Sequence, residues 1–126
     1  MRFFVLILKA YSKLIYFELF FARGNFQVLY DKVRAYPIRR IPNEAYTVEQ
    51  LSAAMDMACI WYWKEVPCLQ RSSATTCFCR DHAVDATLVI GVQQIPFKSH
   101  AWTEVDARVV NDRSYVAEIY TVLDRC

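Results

Sequence analysis

The hydrophobic pattern of this chain changes once, close to residue 86, and that change restricts the fold more than any other feature of the sequence. Before it, apolar residues recur at the three- and four-residue spacing of buried helix faces. After it, short β-branched runs, beginning with residues 87–92, are typical of strands. Helices that are followed by strands, rather than alternating with them, predict an α+β fold.

Four helices are predicted in the first part. Residues 3–22 and 26–36 contain no glycine or proline and carry apolar residues at helical spacing. A third helix begins at Thr47, because a glutamine three residues later completes a capping box. Pro67 suits the first position of a fourth helix, which we expect to end near Arg80.

The strands form the second part. Residues 87–92, 100–105 and 108–112 are predicted as strands, and residues 115–124 as a further strand or a short helix. In the second strand the side chains alternate, so the even-numbered residues from His100 share one face and the odd-numbered residues share the other.

Length and composition favour a single packed domain without a targeting signal. The chain has 126 residues, of which 56% are hydrophobic and only 2 are glycine. The first apolar run ends at Lys9, too soon for a signal peptide or a membrane span. Since the 5 cysteines are an odd number and no secretory signal precedes them, we expect free thiols in a reducing cytoplasm.

Positive charge is concentrated in the first third of the chain. Residues 1–40 contain eight basic residues and two acids, a net of +6, whereas residues 41–126 contain seven and eleven, a net of −4. A basic, apolar first third suits docking onto an acidic protein or an anionic membrane surface. The basic residues are spread singly and no recognised motif accompanies them, so no nucleic-acid partner is expected.

A cysteine, a histidine and an aspartate occur in an order that suits covalent catalysis. Cys68 lies in the first turn of the fourth predicted helix, where free N–H groups and the helix dipole favour a thiolate. A thiol nucleophile needs a base, and the base needs a third group that holds its tautomer. His100 and Asp112 could supply both. Taken singly, the three also suit ordinary roles as a small buried residue, a surface histidine and a strand-end carboxylate.

The turn between the strands of His100 and Asp112 tests this pairing. A three-residue loop over residues 105–107 sets Asp112 directly opposite His100, with Cβ atoms about 5 Å apart. A two-residue turn instead sets Asp112 opposite Ala101 and on the wrong face. The hypothesis of a Cys-His-Asp triad therefore predicts an odd-length loop or a bulge, and a regular two-residue turn would count against Asp112.

The remaining thiols and the second histidine have simpler interpretations. Cys59 lies on the apolar face of the third helix and is expected in the core. Cys77 and Cys79 are two residues apart on a helix and so point in different directions. Together with His82 they lack the second ligand pair of a zinc site, and His82 is better placed to cap helix carbonyls.

Three stretches of the chain resemble a known enzyme family. They are Pro67-Cys68-Leu69-Gln70-Arg71-Ser72, Leu88-Val89-Ile90-Gly91-Val92 and Phe97-Lys98-Ser99-His100-Ala101-Trp102-Thr103-Glu104-Val105. Over about residues 40–112 these motifs are similar to those of the transglutaminase-like cysteine proteases of lasso-peptide biosynthesis, the leader peptidases of the microcin-type maturation family.

The resemblance implies a papain/transglutaminase-like fold, in which N-terminal helices are followed by a small antiparallel sheet packed on the cysteine-bearing helix. It implies removal of the leader from a ribosomally synthesised precursor peptide, without a cofactor or a metal. The implied nucleophile is Cys68, the general base and acid is His100, and Asp112 orients His100.

The resemblance also implies partners. The family's split form works with a separate leader-binding recognition protein, and no leader-binding domain is visible in this sequence. The expected partners are therefore the precursor peptide, the recognition protein and the macrolactam-forming cyclase. Residues 43–126 are the expected protease core, and residues 1–42 are a basic helical region where a partner could dock.

Two turns depart from the family's pattern, which often has glycine near Ala83 and near Ala107. Alanine disfavours a positive φ by roughly 1 kcal/mol, so we expect these turns to take another form.

Two other functions stay open on the sequence. With an amine in place of water as the acceptor, the same triad would make a transglutaminase-like acyltransferase. A chain that kept the fold without the chemistry would be an interaction subunit of a peptide-modifying complex.

Overall fold

The computed structural model describes residues 2–40 and 46–126, and it orders the helices before the strands. The helices are α1 (Arg2–Ala22), α2 (Phe26–Ala35), α3 (Val48–Trp61) and α4 (Cys68–Asp81). They are followed by β1 (Ala86–Gln94), β2 (Phe97–Val105), β3 (Arg108–Val109), the short helix α5 (Val116–Ile119) and β4 (Thr121–Arg125). The predicted α+β order is confirmed. The boundary predicted between residues 42 and 43 lies outside the described residues and stays a prediction.

Local signals in the sequence define where the helices begin and end. Gly24, with a φ of +68°, follows α1, and the Asn25 side chain accepts a hydrogen bond from the Val28 N–H at the start of α2. Thr47 and Gln50 form the predicted capping box at the start of α3, with bonds of 3.1 and 2.9 Å. These helix starts follow from side chains within three residues of each end.

The four strands form one antiparallel sheet in the order β3-β2-β1-β4. Strands β1 and β2 are paired along their full length, with Gly91 opposite His100. On the other side of β1, Gly91 also pairs with Val122 of β4, next to a shift of register. Gly91 therefore lies between the strand of His100 and the C-terminal strand.

Helix α4 lies at the centre of the fold, between the other helices and one face of the sheet. It packs against α1 and α3 on one side and against β1 and β2 on the other. The buried core between these layers is built from large apolar side chains that are almost completely inaccessible, among them Leu14, Phe17, Leu29, Leu51, Phe78 and Leu88. The opposite face of the sheet carries a smaller buried cluster of Val89, Trp102 and Val116.

A buried arginine joins the end of α4 to three other segments. The Arg80 guanidinium donates to the carbonyls of Ala86 at 3.0 Å, Val33 at 2.5 Å, Tyr36 at 3.2 Å and Cys126 at 2.8 Å. Backbone carbonyls buried without a donor are costly, so this fork of N–H groups satisfies several chain ends at once. It holds α2, β1 and the end of β4 against α4.

The side of α1 away from α4 is apolar and exposed. Phe4, Leu8, Ile15 and Leu19 recur at helical spacing, and each exposes about half of its surface. The Phe4 ring contacts Trp61 at the end of α3, with ring centroids 6.0 Å apart. We call these five residues the α1 apolar surface. None of the helices in the described part of the chain is long and apolar enough to span a membrane.

Candidate active site

Cys68 is the first residue of α4, and the start of this helix has no side-chain cap. Pro67 has the extended backbone of an N-cap, with φ −63° and ψ 154°, so the prediction that proline takes the first helical position was wrong by one residue. A proline side chain cannot accept a hydrogen bond, and α4 has no side-chain cap, in contrast to α2 and α3. The first N–H groups of α4 are thus not satisfied by a capping side chain.

Polar contacts fix α4 against β2, the strand of His100. The Ser72 hydroxyl, one turn after Cys68, donates to the carbonyl of Ala101 at 3.0 Å. The Thr103 hydroxyl donates in turn to the carbonyl of Ser72 at 3.0 Å and lies 3.1 Å from the Thr76 hydroxyl. All these groups are buried, so their hydrogen bonds fix the position of α4 along β2.

His100 and Asp112 meet directly. The distance from His100 Nε2 to Asp112 Oδ2 is 2.5 Å, and the two side chains are 24% and 30% exposed. Along β2, His100 lies on the same face as Trp102, and Ala101 lies on the face that packs in the main core with α4, as the alternation predicted. The structure therefore brings together two of the three predicted site residues.

The route by which Asp112 reaches His100 differs from the predicted one. Val105 pairs with Arg108 and Glu104 with Val109, so the hairpin has a regular two-residue turn and the prediction of an odd-length loop was wrong. The prediction of a strand over residues 108–112 was also wrong, because β3 ends at Val109. Because the chain leaves the ladder early, the register of the turn no longer decides where Asp112 lies.

Asn111 explains why the ladder ends, and sequence reasoning missed it. In a regular continuation the Thr103 N–H would donate to the Val110 carbonyl. Instead it donates to Asn111 Oδ1 at 2.7 Å, and the Val110 carbonyl accepts from the Ser52 hydroxyl of α3 at 2.9 Å. Asn111 Nδ2 also donates to the Ser72 hydroxyl at 2.9 Å.

The sequence carried only a weak signal that the pairing of β2 and β3 would end at Asn111. Asparagine and aspartate side by side favour turns, because their side chains compete with the backbone for hydrogen bonds. That signal at Asn111 and Asp112 could have shortened the predicted strand. It could not have named Ser72 as the partner of the Asn111 amide.

The two alanine turns take the left-handed form that the sequence was expected to avoid. Ala83 has φ 64°, and in the second turn Asp106 and Ala107 have φ 52° and 61°. The expectation of another turn form was wrong. Asp106 and Ala107 form a two-residue turn of type I′, which has positive φ at both central positions and whose twist matches the strands, and the packed ladder outweighs the cost to alanine.

The thiol of Cys68 is half-buried and makes no hydrogen bond to His100 within the described chain. Since Asp112 occupies Nε2, the imidazole nitrogen left for a thiol is Nδ1. Burial raises the pKa of the other four thiols, to about 12 for Cys77 and Cys79. The prediction that Cys59 packs in the core is matched only in part, since it is half-buried at the core's margin.

Behind His100, the strand is held by a second set of bonds. The Trp102 indole N–H donates to Glu104 Oε2 at 2.8 Å, and Arg125 of β4 donates to Glu104 Oε1 at 2.8 Å. Burial raises the pKa of Glu104, but the bonds from Trp102 and Arg125 outweigh it and the net pKa is lowered. Glu104 is therefore a charged anchor between β2 and β4.

His82 has the capping role that its position predicted. Its Nδ1 lies 2.9 Å from the Phe78 carbonyl at the end of α4. Across residues 2–40 and 46–126, no group of three His, Cys, Asp or Glu side chains is arranged to hold a metal ion.

The fold agrees with one family of proteins. The model of the transglutaminase-like superfamily matches residues 13–125, and the chain belongs to that superfamily. It is similar to the microcin J25-processing protein McjB of Escherichia coli, with 39% identity over 56 residues, or 44% of this chain. The match spans 27% of McjB, about a quarter of that protein's length. No solved structure matches the chain.

Proposed function

We propose that this protein is a cysteine peptidase that removes the leader from a ribosomally synthesised precursor peptide during lasso-peptide maturation. The observation that carries the proposal is the His100–Asp112 bond on the strand to which the Cys68 helix is fastened. The similarity to a microcin-processing protein supports the substrate class. The 5 free thiols are consistent with action in a reducing compartment such as the cytoplasm.

The His100–Asp112 bond supports the assignment of the base. A carboxylate at Nε2 favours the tautomer that carries its proton there, which leaves the lone pair on Nδ1 for the thiol proton. In this proposal Asp112 holds that tautomer and stabilises the imidazolium that forms. Within the described residues Cys68 makes no hydrogen bond to His100, and the His100 ring lies on the sheet face away from α4. The proposed reaction therefore requires a movement at the start of α4 or at the edge of β2 that brings the Cys68 thiol to Nδ1 of His100.

The reaction follows from these roles. His100 takes the Cys68 proton, and the thiolate attacks the scissile carbonyl carbon and forms a C–S bond. The C–N bond of the resulting tetrahedral intermediate then breaks. His100 gives its proton to the leaving amine, and a thioester remains. Water, deprotonated by His100, attacks the thioester, releases the carboxylic acid and restores the thiol. The uncapped N–H groups at the start of α4 are oriented to bind the oxyanion of each tetrahedral intermediate.

Substrate delivery would involve partners. The proposed partners are the precursor peptide, a separate leader-binding recognition protein and the macrolactam-forming cyclase. The α1 apolar surface is the proposed docking region, since it leaves four large apolar side chains about half exposed on one helix face. Its neighbouring basic residues suit an acidic partner.

Cleavage of a precursor peptide tests the proposal. The protein is incubated with the precursor, with and without the recognition protein, and the products are read by mass spectrometry. We expect Cys68→Ala to abolish cleavage, because no other thiol begins a helix. Cys59→Ala, which changes a half-buried cysteine of α3, should cleave at the parent rate. Cleavage by Cys68→Ala at the parent rate would show that the nucleophile is misassigned.

Two readouts distinguish the alternatives. Adding a primary amine to the same reaction separates a peptidase from an acyltransferase, since an acyltransferase would yield the amide instead of the free acid. Alkylation at neutral pH separates an enzyme from an interaction subunit. An enzyme should be labelled first at Cys68, because a thiol activated at a helix start reacts as the thiolate, whereas similar labelling of Cys59, Cys68 and Cys126 favours the interaction subunit.

A further inference from the structure

The imidazole of His100 is held by more than Asp112. Its ring stacks on the ring of Tyr120, with centroids 5.3 Å apart and planes 24° from parallel. The Trp102 ring lies 6.2 Å from both His100 and Tyr120. The three aromatic rings thus form one cluster on the sheet face that points away from α4.

Gly91 makes this cluster possible. A Cβ atom at Gly91 would lie 2.7 Å from the Trp102 ring and 2.7 Å from Tyr120 Cβ, closer than real Cβ contacts come. Gly91 is paired with His100 on one side and with Val122 on the other. The missing side chain therefore leaves the space through which Trp102 and Tyr120 converge beside His100.

One short segment contacts His100 twice. Asp112 begins it with the bond to Nε2, and Tyr120 ends it with the ring stack. Between them, Val116 is 5% exposed and is buried against Val89 and Trp102. Residues 112–120, which include α5, thus form a segment that is held in its middle by Val116 and contacts the imidazole at both ends.

We propose that Tyr120 is a positioning residue for His100, a role that rests on the proposed function. The bond to Asp112 restrains one ring atom, whereas a stacked ring restrains the plane of the imidazole and so the direction of Nδ1. Catalysis depends steeply on such direction, because a nucleophile and its base must align before the proton moves. Tyr120 acts through its ring face, since its hydroxyl makes no hydrogen bond within residues 2–40 and 46–126.

Two substitutions isolate the ring face from the hydroxyl. Tyr120→Leu removes the stack and keeps apolar volume, whereas Tyr120→Phe keeps the stack and removes only the hydroxyl. For precursor cleavage we expect Tyr120→Leu to lower kcat by roughly two- to tenfold, the range of an aromatic pair, with KM changed much less. Tyr120→Phe should match the parent.

A second readout does not depend on cleavage. In NMR spectra of the ¹⁵N-labelled histidines, the Nε2–H proton bound to Asp112 should give a resolved signal in the parent and in Tyr120→Phe. In Tyr120→Leu it should broaden through faster exchange with water. Far-UV circular dichroism and urea unfolding establish that each variant is folded, and Tyr120→Met replaces Tyr120→Leu should the latter not fold.

The outcomes separate the two proposals. Unchanged kcat and an unchanged His100 signal in a folded Tyr120→Leu or Tyr120→Met overturn the positioning role, as does a loss in Tyr120→Phe equal to that in Tyr120→Leu. If the parent cleaves no precursor, the proposed function fails, but the NMR comparison still decides whether Tyr120 orders the imidazole.

Discussion

At the scale of single residues, the position of Asp112 depends on the side chain before it. The amide of Asn111 supplies an acceptor to the Thr103 N–H and a donor to the Ser72 hydroxyl. Because a side chain replaces the next rung of the ladder, the backbone is released from β2 and can turn Asp112 toward His100. Asn111 also connects the segment of Asp112 to the helix of Cys68, so it touches all three parts of the candidate site.

Asn111→Ala tests this role. It leaves the buried Thr103 N–H without its acceptor, which should lower the free energy of unfolding by about 1–3 kcal/mol. We also expect kcat for the precursor to fall by a larger factor than KM changes, since Asp112 would no longer be held at His100. Urea unfolding and steady-state cleavage measure the two effects.

Ser114→Ala is the matched control for Asn111→Ala, because Ser114 is exposed on the same segment. It should change the free energy of unfolding by less than about 0.5 kcal/mol. Parent stability together with the parent rate in Asn111→Ala would refute the bridging role.

At the scale of elements, the two ends of α4 are built differently. Its start is uncapped at Cys68, whereas its end is closed by a Schellman motif. There the Val84 N–H bonds the Cys79 carbonyl at 3.0 Å, and the Ala83 N–H bonds the Arg80 carbonyl at 3.2 Å. The last turn of α4 is thus closed by backbone hydrogen bonds, whereas its first turn, at the candidate site, has no side-chain cap.

The Schellman motif places an alanine where glycine is favoured. Ala83→Gly should therefore raise the free energy of unfolding by about 1 kcal/mol, because glycine adopts a φ of 64° without strain. Ala53→Gly, at an exposed position in the middle of α3, should instead lower the free energy of unfolding by about 1 kcal/mol. Urea midpoints of both variants check the difference in sign, and a destabilised Ala83→Gly would contradict the strain argument.

At the scale of the whole molecule, two partly buried carboxylates join distant segments. Glu18 of α1 accepts from the Tyr62 hydroxyl at 2.8 Å, Lys64 at 2.7 Å and Gln70 at 3.3 Å. Glu104 joins β2 to β4 through Arg125. Burial raises the pKa of each glutamate, but the bonds it accepts outweigh burial, and both pKa values are lowered. Burial and the bond to Glu18 raise the pKa of Tyr62 to about 12.

These lowered pKa values predict acid sensitivity. The unfolded chain takes up protons at an ordinary glutamate pKa of 4.5, before the folded chain does. The stabilisation by Glu18 and Glu104 is therefore complete above that pH and is lost as the pH falls through the folded values. Urea midpoints at about pH 7 and about pH 3 should show the fall.

The double variant Glu18→Gln/Glu104→Gln identifies the groups responsible for this pH dependence. It should be less stable than the parent near neutrality but should lose less stability on acidification. Glu118→Gln, which changes an exposed glutamate of α5, should keep the parent's dependence on pH. An equal loss of stability in the parent and in the double variant would assign acid sensitivity to other groups.

Much of the fold follows from signals that act within a few residues. Thr47 with Gln50 defines the start of α3, Gly24 follows the end of α1, and alternation along β2 assigns His100 to its face. The order of Cys68, His100 and Asp112, and their similarity to a protease family, could likewise be seen in the sequence. These features are local because a cap or a period depends on neighbours in the chain.

The sequence by itself thus predicted the four helices, the first two strands, the order of helices before strands and the three residues on which the proposed function rests. Only the tertiary structure decided that β3 ends after Val109, that Asn111 bonds Ser72 across 39 residues, and that Tyr120 stacks on His100. The physical reason is competition between local and distant partners. An asparagine can extend a strand or leave it, and the choice depends on which buried hydroxyl or N–H the packed helix presents.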